Sequence, residues 1–196
     1  MAVTPPDIPR ALEFPGLAEP TEPPSGWAVL AVLAFALLSL WCHFVANQFG
    51  IPVVYSALFA VHEAGHVVIG LLSQAAGVYG GTLFQLLFPL LFIQHAARRG
   101  QLTAMAASGV WLGESLLNMA AYMADARARL LPLVGFTDEP GHDWEIIFSR
   151  WGVLQHDLLI ANLARGLALL VMVTAVGWLL LRWWSAGRDD QGQPTP

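Results

Sequence analysis

Hydrophobic positions along this chain fall into long apolar blocks, not into the short alternations that mark half-buried strands. Between Glu22 and Arg98 a single side chain, Glu63, is formally charged. Five blocks come close to the ~20 apolar residues that a helix needs to cross a bilayer core: residues 27–46, 51–72, 78–97, 102–124 and 166–184. The last ends in Arg182-Trp183-Trp184, a basic and aromatic anchor suited to a membrane interface. The longest connection, 125–165, places Trp144, Ile147, Phe148, Trp151, Leu154 and Leu158 at helical spacing, with Glu145, Ser149 and Arg150 on other faces. That pattern suits a helix lying in the interface, or one packed on the bundle. The expected fold is all-α: a polytopic membrane helix bundle of about five transmembrane helices plus an interfacial helix.

The flanks differ sharply from this centre. Residues 1–26 hold prolines at 5, 6, 9, 15, 20, 23 and 24 together with four acids and one arginine, so a disordered acidic tail is expected there. Residues 185–196 read as a second, polar disordered tail, leaving 27–184 as one transmembrane domain. Hydrophobic residues make up 56% of the chain and charged ones 12%, and the mean hydropathy is +0.58. Soluble domains carry about 25% charged residues, so the expectation is a multi-pass protein of a membrane, the bacterial inner membrane, with the lipid bilayer as its first partner. The formal net charge of −5 and the absence of lysine argue against nucleic acid as a partner. A lone cysteine, Cys42, excludes an internal disulfide and any cysteine-based zinc cluster. With five spans, the N-terminal tail and the 125–165 connection share one side. Arg10, Arg127, Arg129, Arg150 and Arg165 then face Arg98, Arg99, Arg182 and Arg188, too even a split to orient the chain by its positive residues.

His62-Glu63-Ala64-Gly65-His66 lies inside the second block. In H-E-x-x-H on a helix, the two histidines stand one turn apart on one face and can grip a metal ion, zinc by their chemistry. The intervening glutamate is left free to act on water. Ionisable groups at membrane depth are costly to bury and mark functional sites by default. Two histidines do not complete a zinc site. The fourth block offers a polar stripe, Glu114, Asn118 and Asp125 with Tyr122 beside it, on one helical face. Asp125, near the end of that block, is the expected third ligand, and pairing with Arg129 at i+4 is its alternative role. His142, in Gly141-His142-Asp143-Trp144, is the alternative third ligand, and Asp143 could hold an imidazole tautomer. Gln85, Glu114, Asn118 and Asp143 are expected to line the site. Pro89 frees the carbonyl of Gln85, which puts polar backbone at membrane depth. His43, His95 and the His156-Asp157 pair need no special role, the last reading as the solvated side of the interfacial helix. Gly65 and the pairs Gly77/Gly81 and Gly109/Gly113 permit close helix approach.

HEAGH in a membrane span, followed by a separate span bearing an aspartate, resembles the site-2 protease family of intramembrane zinc metallopeptidases. His62, Glu63 and His66 match that family's first motif in full. Asn118 to Asp125 is similar to its Asn-x-x-Pro…Asp-Gly segment only in part, lacking the proline, with Ala126 in place of the glycine and a spacing one residue short. The two motif-bearing spans carry the resemblance. It implies a zinc-dependent peptidase that hydrolyses peptide bonds of membrane protein or peptide substrates, with Glu63 as general base. The alternative is a non-proteolytic membrane protein that keeps zinc for a structural, transport or regulatory purpose. A purely structural zinc site has no use for Glu63, which favours the hydrolase.

Overall fold

The computed structural model describes residues 18–20, 22–131 and 141–192, without the side chains of 188–192. Among these residues six α-helices follow one another: α1 (Gly26–Phe44), α2 (Pro52–Leu72), α3 (Gln74–Arg98), α4 (Leu102–Ala124), α5 (Asp143–Arg150) and α6 (Asp157–Gly192), with a 3-10 turn at Leu154–His156. No strand occurs among the described residues. Local chemistry sets the breaks. Ser25 and Ser73 cap α1 and α3 by accepting from the backbone N–H of Ala28 and Ala76. Pro52 opens α2, where its missing N–H costs nothing. Gly100, at φ +63, makes the left-handed turn between α3 and α4. The expected tails fall largely on 1–17, 21 and 193–196, outside the described residues, while 185–192 continue α6 as helix.

Four helical segments are long and apolar enough to cross a membrane: α1, α2, α3 and Leu154–Gly187. The expected count was about five, and the block that falls short is α4. Its position explains why. α4 packs against α1, α3 and α6 and is buried along most of its length, so it carries small and polar residues where a lipid-facing helix would carry leucine. Gly109 lies against Ala175, and Gly113 against Met172 and Ala168 of α6, the close approach anticipated for that pair. On the other flank Gly65 of α2 crosses Gly80 of α3, and Gly77 sits against Gly70.

The expected interfacial helix is shorter and differently placed. α5 stops at Arg150, and Gly152, at φ +69, turns the chain before α6 begins at Asp157. Trp144, Ile147 and Phe148 are buried in the main core, so α5 is packed on the bundle. Leu158 belongs to α6 instead. Asp157 is not solvated: it is buried, receives the N–H of Leu158 at 2.7 Å and pairs with Arg127 at 2.7 Å.

The topology also departs from the expected one. The N–H of Ala18 bonds the carbonyl of Ala97 (2.9 Å), and Gly26 faces Trp183, so α1 starts at the end of the bundle where α3 turns into α4. Farther along, Ser39 of α1 and Ile51 at the start of α2 both reach Glu114, and Asn118 donates to the carbonyl of Phe49 (2.9 Å). The 45–51 connection is therefore tucked against the middle of α4. α1 and α2 run in the same sense as α4 and do not form a hairpin. Residues 18–20 and 22–26 thus lie at the opposite end of the bundle from residues 141–156. Irregular backbone at this depth is tolerable only when its polar groups are satisfied within the protein, and α4 does this here.

Candidate metal centre

α2 and α3 meet through glycines, and this close crossing brings the imidazoles of His62 and His66 against α3. A Cβ on Gly81 would stand 2.6 Å from His62 Cε1 and His66 Nε2, so only glycine leaves room for the two rings. The rings stand edge to face, with their Nε2 atoms 3.0 Å apart. Asp143, the first residue of α5, completes a triangle: its Oδ2 lies 3.1 Å from His62 Nε2 and 3.1 Å from His66 Nε2. All three side chains are largely buried.

The hydrogen bonds behind these rings determine what the triangle can hold. His66 Nδ1 faces the backbone carbonyl of Gly77 at 2.9 Å. His62 Nδ1 faces Gln85 Oε1 at 3.2 Å, and Gln85 Nε2 donates to Asn118 Oδ1 at 3.1 Å. Asn118 Nδ2 in turn donates to the carbonyl of Phe49. A carbonyl can only accept, so this chain of amides has one consistent direction, ending with hydrogens on both Nδ1 atoms. Both Nε2 lone pairs then point at each other and at a carboxylate oxygen. Three acceptors within 3.1 Å repel unless a proton or a metal cation stands between them. Tetrahedral zinc with nitrogen and oxygen ligands separates its donor atoms by roughly 3.3 Å. The donor set, its spacing and the glycine cradle fit such an ion, and the backing of each imidazole is what metal-binding histidines ordinarily have.

Glu63 is the remaining member. One ligand atom each from His62, Glu63 and His66 can be drawn within 4.8 Å of one another. The Glu63 carboxylate has no hydrogen-bond partner among the described residues and is partly exposed.

Asp125 is not at the triangle. Its two oxygens accept from the N–H groups of Leu130 (2.9 Å) and Leu131 (3.0 Å), and His142 Nε2 lies 3.4 Å away. Arg129 pairs with Glu145 (3.0 Å) and not with Asp125. His142 is also elsewhere: its Nδ1 caps α5 by accepting from the N–H of Glu145, and its ring packs tilted against Tyr122 with the centroids 4.2 Å apart. Burial pushes the His142 imidazole below its ordinary pKa, so it is neutral there. Tyr122 accepts from the N–H of Asp143 at 3.2 Å, and Arg150 donates to the carbonyl of Ala75 at 2.7 Å, fastening α5 to α4 and α3. Of the expected lining, Gln85 stands directly behind His62, and Asn118 behind Gln85. Glu114 lies apart, with Ser39, His43 and Ile51; His43 thus has a partner that sequence spacing did not suggest. No family model, curated protein or solved structure matches this chain.

Proposed function

We propose that this chain is an integral-membrane zinc metallopeptidase that hydrolyses peptide bonds of membrane-associated substrates, with His62, His66 and Asp143 holding the metal and Glu63 as general base. The observation that carries the reading is the convergence of three acceptor atoms at 3.0–3.1 Å beside an unpartnered glutamate. A zinc ion there would supply Lewis-acid chemistry, lowering the pKa of water and polarising a carbonyl. The other steps belong to side chains. Glu63 takes the proton of the attacking water and delivers it to the amine as the C–N bond breaks. Gln85 and the Gly77 carbonyl keep both imidazoles in the tautomer that presents Nε2. Asp143 supplies the one negative charge of the ligand set. The resemblance to site-2 proteases supports the same reading through His62, Glu63 and His66, with the aspartate supplied by α5 in place of Asp125.

The test is direct. Purified full-length protein should carry close to one zinc per chain, and His62→Ala, His66→Ala or Asp143→Ala should remove it. Glu63→Gln should keep zinc and fold while ending turnover, so that an uncleaved membrane protein accumulates in cells carrying that variant. Iron in place of zinc would overturn the assignment. So would a Glu63→Gln variant that rescues a deletion phenotype with no membrane protein changed in abundance.

A further inference from the structure

Glu114 is buried in the middle of α4, away from the metal triangle, and two donors and a histidine nitrogen from other elements converge on its carboxylate. Ser39 Oγ of α1 donates to Oε2. The backbone N–H of Ile51 donates to Oε1 at 3.3 Å. His43 Nε2, buried and without a hydrogen-bond partner, lies 3.4 Å from Oε2. Gly50, at φ +128, lies so close that a Cβ there would collide with the carboxylate. Ile51 is the residue before α2, and no side chain of its own segment caps that helix. A carboxylate at a helix N-terminus satisfies an orphan N–H and complements the positive end of the helix dipole. One turn along α4, Asn118 holds the carbonyl of Phe49 with one end of its amide and Gln85 with the other.

We propose that Glu114 is a positioning residue for the metal-binding helix: it caps α2 from α4 and, with Ser39, His43 and Asn118, fixes the 45–51 connection so that His62 and His66 meet Asp143. The alternative account of Glu114, a buried charge tolerated only for packing, leaves three things unexplained. These are the uncapped start of α2, the glycine at the point of contact and the orphaned His43 nitrogen aimed at it. The effect on the metal rests on the metallopeptidase reading, whereas the cap does not.

Hydrogen exchange of the full-length protein in lipid nanodiscs, with zinc affinity measured by chelator competition, tests both halves. In Glu114→Leu, exchange at the amides of Ile51 and Tyr55 should rise roughly ten- to hundredfold, the range for losing a hydrogen bond to a charged group. Exchange at 67–72 should stay unchanged, and zinc affinity should fall. Glu114→Gln keeps a carbonyl oxygen for Ile51 and should stay close to wild type in exchange. Unchanged exchange in Glu114→Leu, or a Gln variant as open as the Leu variant, overturns the cap. An opened α2 start with undiminished zinc affinity overturns the positioning role. If Glu114→Leu does not fold, Ile51→Pro removes the same N–H at a φ of −67 that suits proline. The Tyr55 amide should then exchange faster, and an unchanged rate counts against the proposal. A wild-type protein that binds no zinc sinks the metallopeptidase reading and leaves the exchange result standing.

Discussion

Asp143 reaches His62 and His66 across 81 and 77 positions of sequence, and what holds it there decides what nearby substitutions should do. Asp143→Ala removes a donor atom and should leave the zinc site nearly empty in a chelator titration. Asp125→Ala removes no donor. It frees Leu130, Leu131 and His142, loosening the seat of α5, so zinc affinity should fall roughly 10–100-fold, as for other supports behind a ligand. The reverse ranking would make Asp125 the ligand. Gln85→Leu should cost affinity in the same range, because His62 then loses the acceptor that fixes its tautomer. The HEAGH motif was legible in sequence because four residues of helix fix its geometry without help from the rest of the fold. Asp143 was visible only as one of two adjacent candidates. Which of His142 and Asp143 faces the histidines depends on how α5 is capped, and His142 Nδ1 spends itself on that cap.

Close crossings of helices, more than their apolar surfaces, decide the geometry between elements. Gly80 has the backbone of Gly65 where a side chain would be, with Ile69 Cβ 3.0 Å from an added Cβ. Gly80→Val should push α2 off α3, costing roughly 1–3 kcal/mol, the usual penalty of overpacking, and zinc affinity with it. Gly177→Ala meets open space and should leave both thermal unfolding in detergent and metal content near wild type. Equal damage from the two would mean that glycine content, not this crossing, matters. Helix existence was readable from the length of the apolar blocks, and the glycine pairs pointed to close approach. The end of α5 was not readable, since the apolar repeat runs on through Trp151, Leu154 and Leu158 while Gly152 turns the backbone. The burial of Asp157 was hidden for a related reason: its partner, Arg127, lies thirty positions earlier.

At the scale of the whole molecule, the course of α1 and α2 decides which end of the bundle the candidate metal centre faces. Counting apolar blocks puts the N-terminal segment and the 125–165 region on one side. Contacts put the described residues 18–26 and 141–156 at opposite ends, residue 21 aside, because α1 and α2 meet beside the middle of α4 instead of folding back as a hairpin. Block counting could not detect this, since a helix pair running in one sense and a hairpin carry the same apolar pattern. Single cysteines can distinguish the two, and the native Cys42 is buried and should contribute little background. In sealed vesicles, Glu22→Cys and Arg99→Cys should react together with a membrane-impermeant thiol reagent. Gln155→Cys should react only from the other face. Labelling of Glu22→Cys together with Gln155→Cys, with Arg99→Cys reacting only from the other face, would restore the hairpin and displace the proposed anchoring of the 45–51 connection. The same experiment gives the site a side. His62, His66 and Asp143 lie at the α5 end of the bundle, where Tyr122 and Arg150 fasten that helix, so water should reach Glu63 from the face that exposes Gln155. A water-soluble chelator should therefore strip the metal faster from vesicles that present Gln155→Cys outward than from those that present Glu22→Cys outward.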